Sequence, residues 1–154
     1  MKTSRNTLDL LAEQPFLAGM PGPWLSRLAL HGHPAVRPAG NRLFHADGLA
    51  DRFWLVRSGT VAVDLHVPGR GDVVIEAIGR TGVIGWSWLF PPYRWHFGAV
   101  AAELTAVVEF EAAGVRAMMA QEPAFGYDLT SRFLRVVADR LQVARVRLVD
   151  LYGY

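Results

Sequence analysis

The spacing of apolar residues changes character twice along this chain. In residues 1–33 the apolar positions follow a helical period. Asn6 or Thr7 is placed to cap a segment carrying Leu8, Leu10, Leu11 and Phe16. Pro23 stands where a second helix would begin, Trp24, Leu25, Leu28 and Leu30 supply its buried stripe, and Gly32 is placed to close it. Residues 34–110 read as many short strands. Phe53-Trp54-Leu55-Val56 is a solid apolar run of strand length, and Val61, Val63 and Leu65 alternate with Ala62, Asp64 and His66. Pro68-Gly69-Arg70-Gly71-Asp72 predicts a hairpin tip, with alternation resuming through Val73 to Ile78. Two further strands are predicted over 99–102 and 106–110. Short strands at regular spacing point to a sandwich or barrel rather than to βαβ units.

Helical spacing returns over 111–154. A short helix is predicted from Ala112 to Gln121, Pro123 interrupts the chain, and a long helix follows from Tyr127 to Tyr152. In that helix Leu134, Val137, Leu141, Ala144, Leu148 and Leu151 advance in alternating steps of three and four, a heptad seam suited to a partner helix. Phe133, Val136 and Val143 form a second stripe on a neighbouring face.

Composition narrows the chemistry. The 154 residues suffice for one domain, and 51% apolar with 19% charged residues is a globular balance. Cysteine is absent, which removes disulfides, thiolate metal sites and cysteine nucleophiles. Of the 16 basic residues only Lys2 is lysine, so neither a P-loop lysine nor a buried Schiff-base lysine is available. The arginines are scattered, with a formal net charge of +2, and leave no dense nucleic-acid footprint. Asp9 and Glu13 interrupt any signal peptide, and the uncharged run between Arg80 and Arg94 falls short of a span. The expected location is the cytoplasm, away from the membrane.

Enzyme signatures are missing. There is no G-x-S-x-G elbow and no Ser/His/Asp set legible from spacing. His31-Gly32-His33 has a spacing that a metal-binding barrel enzyme could use, but the first carboxylate after it is Asp47, so the pair reads as solvated loop and no metal is expected. The unusual stretch runs from Ile84 to Ala99: three of the five tryptophans (Trp86, Trp88 and Trp95) fall within ten residues, beside Pro91-Pro92, Arg94 and His96. A self-packed aromatic plug and a pocket wall or docking surface both fit this composition.

These residues, in this order, resemble the cyclic-nucleotide-binding domain of the catabolite-activator class. The resemblance is carried by Gly40-Asn41-Arg42-Leu43-Phe44, Gly48-Leu49-Ala50-Asp51, the strand pair from Phe53 to Val63 around Val56-Arg57-Ser58-Gly59-Thr60-Val61, the glycine series Gly79, Gly82 and Gly85, and Ala138 to Ala144 on the long helix. It implies a mainly β fold with flanking helices: a double-stranded β-helix (jelly roll) with helices at the N-terminus and a long C-terminal helix. It also implies a pocket in which a short helix N-terminus and an arginine hold the cyclic phosphate, while a glutamate accepts from the ribose hydroxyl.

The chain departs from that pattern at the pocket. The glutamate after Gly85 is replaced by Trp86, the arginine position falls at His96 with Arg94 two residues earlier, and the hydroxyl pair on the long helix corresponds to Ala144 and Arg145. Losing one buried charge-assisted hydrogen bond costs about 1.5–3 kcal/mol, and two such losses weaken binding about 10²–10⁴-fold. The expectation is a non-enzymatic regulatory or sensor domain that does not bind cyclic AMP or GMP in the standard mode. In one reading another small ligand is held by Gly85, Ser87, Arg94, His96 and Arg145 between Trp86, Trp88 and Phe97. The alternative is a protein–protein interaction module with a self-filled pocket. No cofactor is expected. The seam predicts a homodimer through the C-terminal helix. The chain stops at Tyr154 without a recognition helix, so direct DNA binding is not expected.

Overall fold

The computed structural model describes residues 6–153. Helix α1 (Thr7–Ala12) starts on a reciprocal cap: Asn6 Oδ1 accepts from the Asp9 amide at 2.9 Å, and Asp9 Oδ2 accepts from the Asn6 amide at 3.3 Å. Phe16 falls not in this helix but in a 3-10 turn, Pro15–Leu17. Helix α2 (Gly22–Ala29) has Pro23 in its first turn. Gly32 does not close α2. It opens β1 (Gly32–Arg37), pairing with Phe110 so closely that a Cβ there would lie 2.8 Å from the phenyl ring.

Seven strands follow: β2 (Arg42–Phe44), β3 (Arg52–Ser58), β4 (Val61–Val67), β5 (Gly71–Ile78), β6 (Val83–Ile84), β7 (Gly98–Ala101) and β8 (Thr105–Glu111). They form two four-stranded sheets, ordered β1-β8-β3-β6 and β2-β7-β4-β5, with antiparallel pairing throughout. This is the expected jelly roll, although the barrel runs from Gly32 to Glu111 rather than over 34–110.

The apolar run in β3 has a packing cause. Phe53 stacks on Trp88 and Phe110, both at 4.6 Å, and meets Phe133 of the last helix, while Trp54 stacks on Phe44 at 5.4 Å. Both faces of the strand are covered, so no polar residue is tolerated between them. In β4 the expected alternation fails. Val61, Ala62 and Asp64 are buried while Leu65 is 38% exposed, because the β4–β5 pairing shifts register between Val63 and Asp64. The buried Asp64 carboxylate is held by both terminal nitrogens of Arg42 at 3.1 and 2.7 Å, which raises the arginine's pKa. Only glycine fits beneath this pair: a Cβ on Gly98 would stand 2.4 Å from Asp64 Oδ1. Val74 and Ile75 are exposed because β5 is the sheet's edge strand.

Helix α3 (Ala112–Gln121) packs on α4 (Pro123–Leu151). Pro123 is the first residue of α4 rather than an interruption before it, since proline's missing N–H costs nothing at that position. The helix therefore has 29 residues and extends about 44 Å. Phe125, Leu129 and Phe133 are buried against the barrel, and Arg132 Nη1 donates to the carbonyls of Phe16 and Ala18, each at 2.8 Å. From Leu141 to Gly153 every residue is exposed.

Candidate functional site

Beyond β6 the chain turns at Gly85, with φ +92°. A Cβ at Gly85 would lie 2.7 Å from the Trp95 ring, so glycine is required both by the backbone and by the space. A 3-10 turn, Ser87–Leu89, follows. The tryptophans then divide. Trp88 is fully buried, its indole N–H satisfied by the Gly85 carbonyl at 3.2 Å. Trp95 is buried against Phe44, with ring centroids 3.9 Å apart. Trp86 alone is half-buried, and it lines a cavity between this segment, β5 and α4. Arg116 of α3 braces the segment from outside, donating to the Trp88 carbonyl at 2.9 Å and lying 4.5 Å over the Tyr93 ring.

The cavity measures ≈ 60 Å³. Of the residues expected to hold a ligand, Gly85, Trp86, Ser87, His96 and Phe97 line it together. Three others do not. Trp88 belongs to the core, because its ring completes the stack on Phe53. Arg94 is exposed, bridges to Leu49 across a short β-contact and donates to the Asp47 carbonyl at 3.4 Å. Arg145 is exposed on α4 and does not line the cavity.

The cavity's guanidinium is Arg140, five residues before Arg145 and therefore about 140° away around the helix. Its Nε lies 3.2 Å from Glu76 Oε1 on β5, its terminal nitrogen donates to the Val83 carbonyl, and its guanidinium carbon sits 5.3 Å over the Trp86 ring. Burial pulls this guanidinium below its usual pKa, and Glu76 opposes the effect. One turn pair further along, Arg147 donates to the Ile75 carbonyl at 2.9 Å. Helix α4 is thus fastened to the edge strand at two points, and one of them lines the cavity. Arg140 and Glu76 were not among the expected site residues. The available signal was a charge at the position that continues the stripe of Val136 and Val143.

A second polar cluster lies on the other sheet. Glu109, 3% exposed, accepts from Trp54 Nε1 at 2.8 Å and Arg52 at 3.1 Å, and also from Arg37; His33 Nε2 is 3.1 Å from the same carboxylate. Burial pushes its pKa up, but the hydrogen bonds from Trp54 and Arg37 and the charges of Arg37 and Arg52 outweigh this and hold it below the usual value. His33 thus lies beside a carboxylate that Trp54, Arg37 and Arg52 already hold. Among the described residues no group of three His, Cys, Asp or Glu side chains is placed to hold a metal.

Residues 36–122 match the model of the cyclic nucleotide-binding domain. The chain belongs to that family. The domain is 22% identical over 143 residues, 93% of its length, to a CRP-like cAMP-activated global transcriptional regulator of Mycobacterium tuberculosis, and spans 62% of that relative. Its fold is that of a cyclic nucleotide-binding domain from Methylobacillus flagellatus, with a TM-score of 0.78, 17% identity, and 94% of this chain aligned to 81% of the other. The Thermus thermophilus catabolite activator protein shares the fold at TM-score 0.70 and 20% identity, over 90% of this chain and 63% of that one. Among the described residues no helix is long and apolar enough to cross a membrane.

Proposed function

We propose that this is a non-enzymatic regulatory domain whose family pocket is filled from within, so that it does not take cyclic AMP or GMP in the standard mode. The supporting observation is the ≈ 60 Å³ cavity roofed by Arg140 over Trp86. Pockets for ligands of ordinary size measure about 300–1,000 Å³, and the ribose-recognising acid of the family pattern is Trp86 here. Of the two readings open to the sequence, this favours the interaction module over a sensor for another small molecule. Ser87 and His96 do reach the cavity, but the space beside them is too small for more than a few atoms.

The interaction surface is the unpacked face of α4. Leu134, Leu141, Leu148 and Leu151 are 66%, 51%, 54% and 76% exposed, Ala144 is exposed, and Val137 lies at the packed edge of the same seam. A second copy of the chain, docked seam to seam, would cover them. The protein is then a homodimeric cytoplasmic regulator with no membrane contact and no cofactor.

Calorimetric titration of the purified protein with cyclic AMP and cyclic GMP tests this reading. No saturable heat is expected below about 1 mM. Micromolar binding would overturn it.

A further inference from the structure

A groove of ≈ 400 Å³ also has Trp86 in its wall. Leu89 and Phe90, from the same segment, line it on the barrel side, and Thr130, Phe133, Leu134 and Val137 line it on α4. Thr130 is the one polar residue among them. The groove is open to solvent at both walls: Phe90 is 46% and Leu134 66% exposed. A contiguous exposed apolar surface of this kind marks a docking site.

The spacing of the four helix residues says what fits. In a parallel, in-register helix pair, a seam side chain enters a hole between four residues of the facing helix. Those four stand four before, one before, level with and three after the equivalent position. For Leu134 they are Thr130, Phe133, Leu134 and Val137, the same four that line the groove. The hole that Leu134 of a second copy requires is therefore already formed, and Trp86, Leu89 and Phe90 extend it onto the barrel. Charge does not oppose the pairing. The seam from Leu134 to Leu151 carries no charged residue. Arg140 and Arg147, which flank it on one side, are drawn to their own barrel by Glu76 at 3.2 Å and by the Ile75 carbonyl at 2.9 Å.

We infer that this groove receives Leu134 of a second copy of the chain, with the two long helices parallel and in register. The inference rests on the homodimer reading and adds to it an orientation, a register and a contact from the barrel. Trp86 lines both the ≈ 60 Å³ cavity and the groove. A seated partner thus holds in place the indole that fills the family pocket.

The chain has no cysteine, so a single-cysteine variant carries one reporter thiol. A disulfide needs Cα atoms about 4.4–6.8 Å apart. Facing seam positions of a parallel, in-register pair meet that spacing, whereas an antiparallel pair along the whole seam moves the two Leu134 positions about 25 Å apart. Under mild oxidation, Leu134→Cys should form a disulfide-linked dimer, and Arg135→Cys, on the neighbouring face of α4, should not. Phe90→Asp should weaken self-association about tenfold or more in sedimentation. Phe90 is half-exposed, so circular dichroism should show the wild-type fold. A chain that sediments as a dimer without cross-linking through Leu134→Cys would overturn this placement and leave the homodimer standing. Self-association unchanged in Phe90→Asp would remove the barrel segment from the interface. A monomeric wild-type chain would overturn both the placement and the homodimer, and leave the groove to a different protein.

Discussion

The guanidinium of Arg140 lies over the indole of Trp86, its central carbon 5.3 Å from the ring centroid. One residue comes from the long helix and the other from the turn after Gly85, so the contact ties the helix to the barrel beside the cavity that both residues line. The Glu76 carboxylate, 3.2 Å from Arg140 Nε, also holds the arginine.

Arg140→Ala removes that roof. The variant should lose about 2 kcal/mol of stability in urea denaturation, the scale of charge-assisted hydrogen bonds, and its tryptophan emission should shift to the red as water reaches Trp86. Unchanged stability and emission would mean that Arg140 does not hold the helix on the barrel in solution.

The seam makes a separate prediction. The wild-type chain should sediment as a dimer, and Leu141→Glu should sediment as a monomer, because a carboxylate at a seam position meets its own copy across the interface. A wild-type monomer at micromolar concentration would remove the dimer from the account.

Glu109 governs acid stability. Its pKa in the folded chain lies below the unfolded value, near 4.3 for glutamate. Its contribution is therefore complete above that value and is lost as pH falls through the folded pKa. Glu109→Gln should cost about 2–3 kcal/mol at neutral pH and flatten the acid limb of a stability–pH profile. A variant profile parallel to the wild type down to pH 3 would contradict the assignment.

Much of the fold was legible because its causes are local. Asn6, one of two residues placed to cap the first helix, does cap it; the solid run from Phe53 to Val56 marked a strand, and Pro68 to Asp72 marked the β4–β5 hairpin. What stayed hidden depends on contacts between distant segments. Asp64 is buried because Arg42 lies across the sheet, and Trp88 is core because Phe53 and Phe133 meet it. The stretch from Ile84 to Ala99 is plug and wall together: Trp88 fills the core, Trp95 is buried yet lines the cavity, and Trp86 lines it half-buried. No spacing rule could have chosen among them. Arg140 was overlooked for a simpler reason. A single arginine on a largely exposed helix reads as solvated until the edge strand that receives it is in view.

A crystal structure of the protein grown with millimolar cyclic AMP is the most direct test of the self-filled pocket. Arg140 is expected still over Trp86, with the cavity no larger and no nucleotide density beside Gly85. A cyclic purine nucleotide seated there, with Trp86 displaced and α4 lifted from β5, would contradict it.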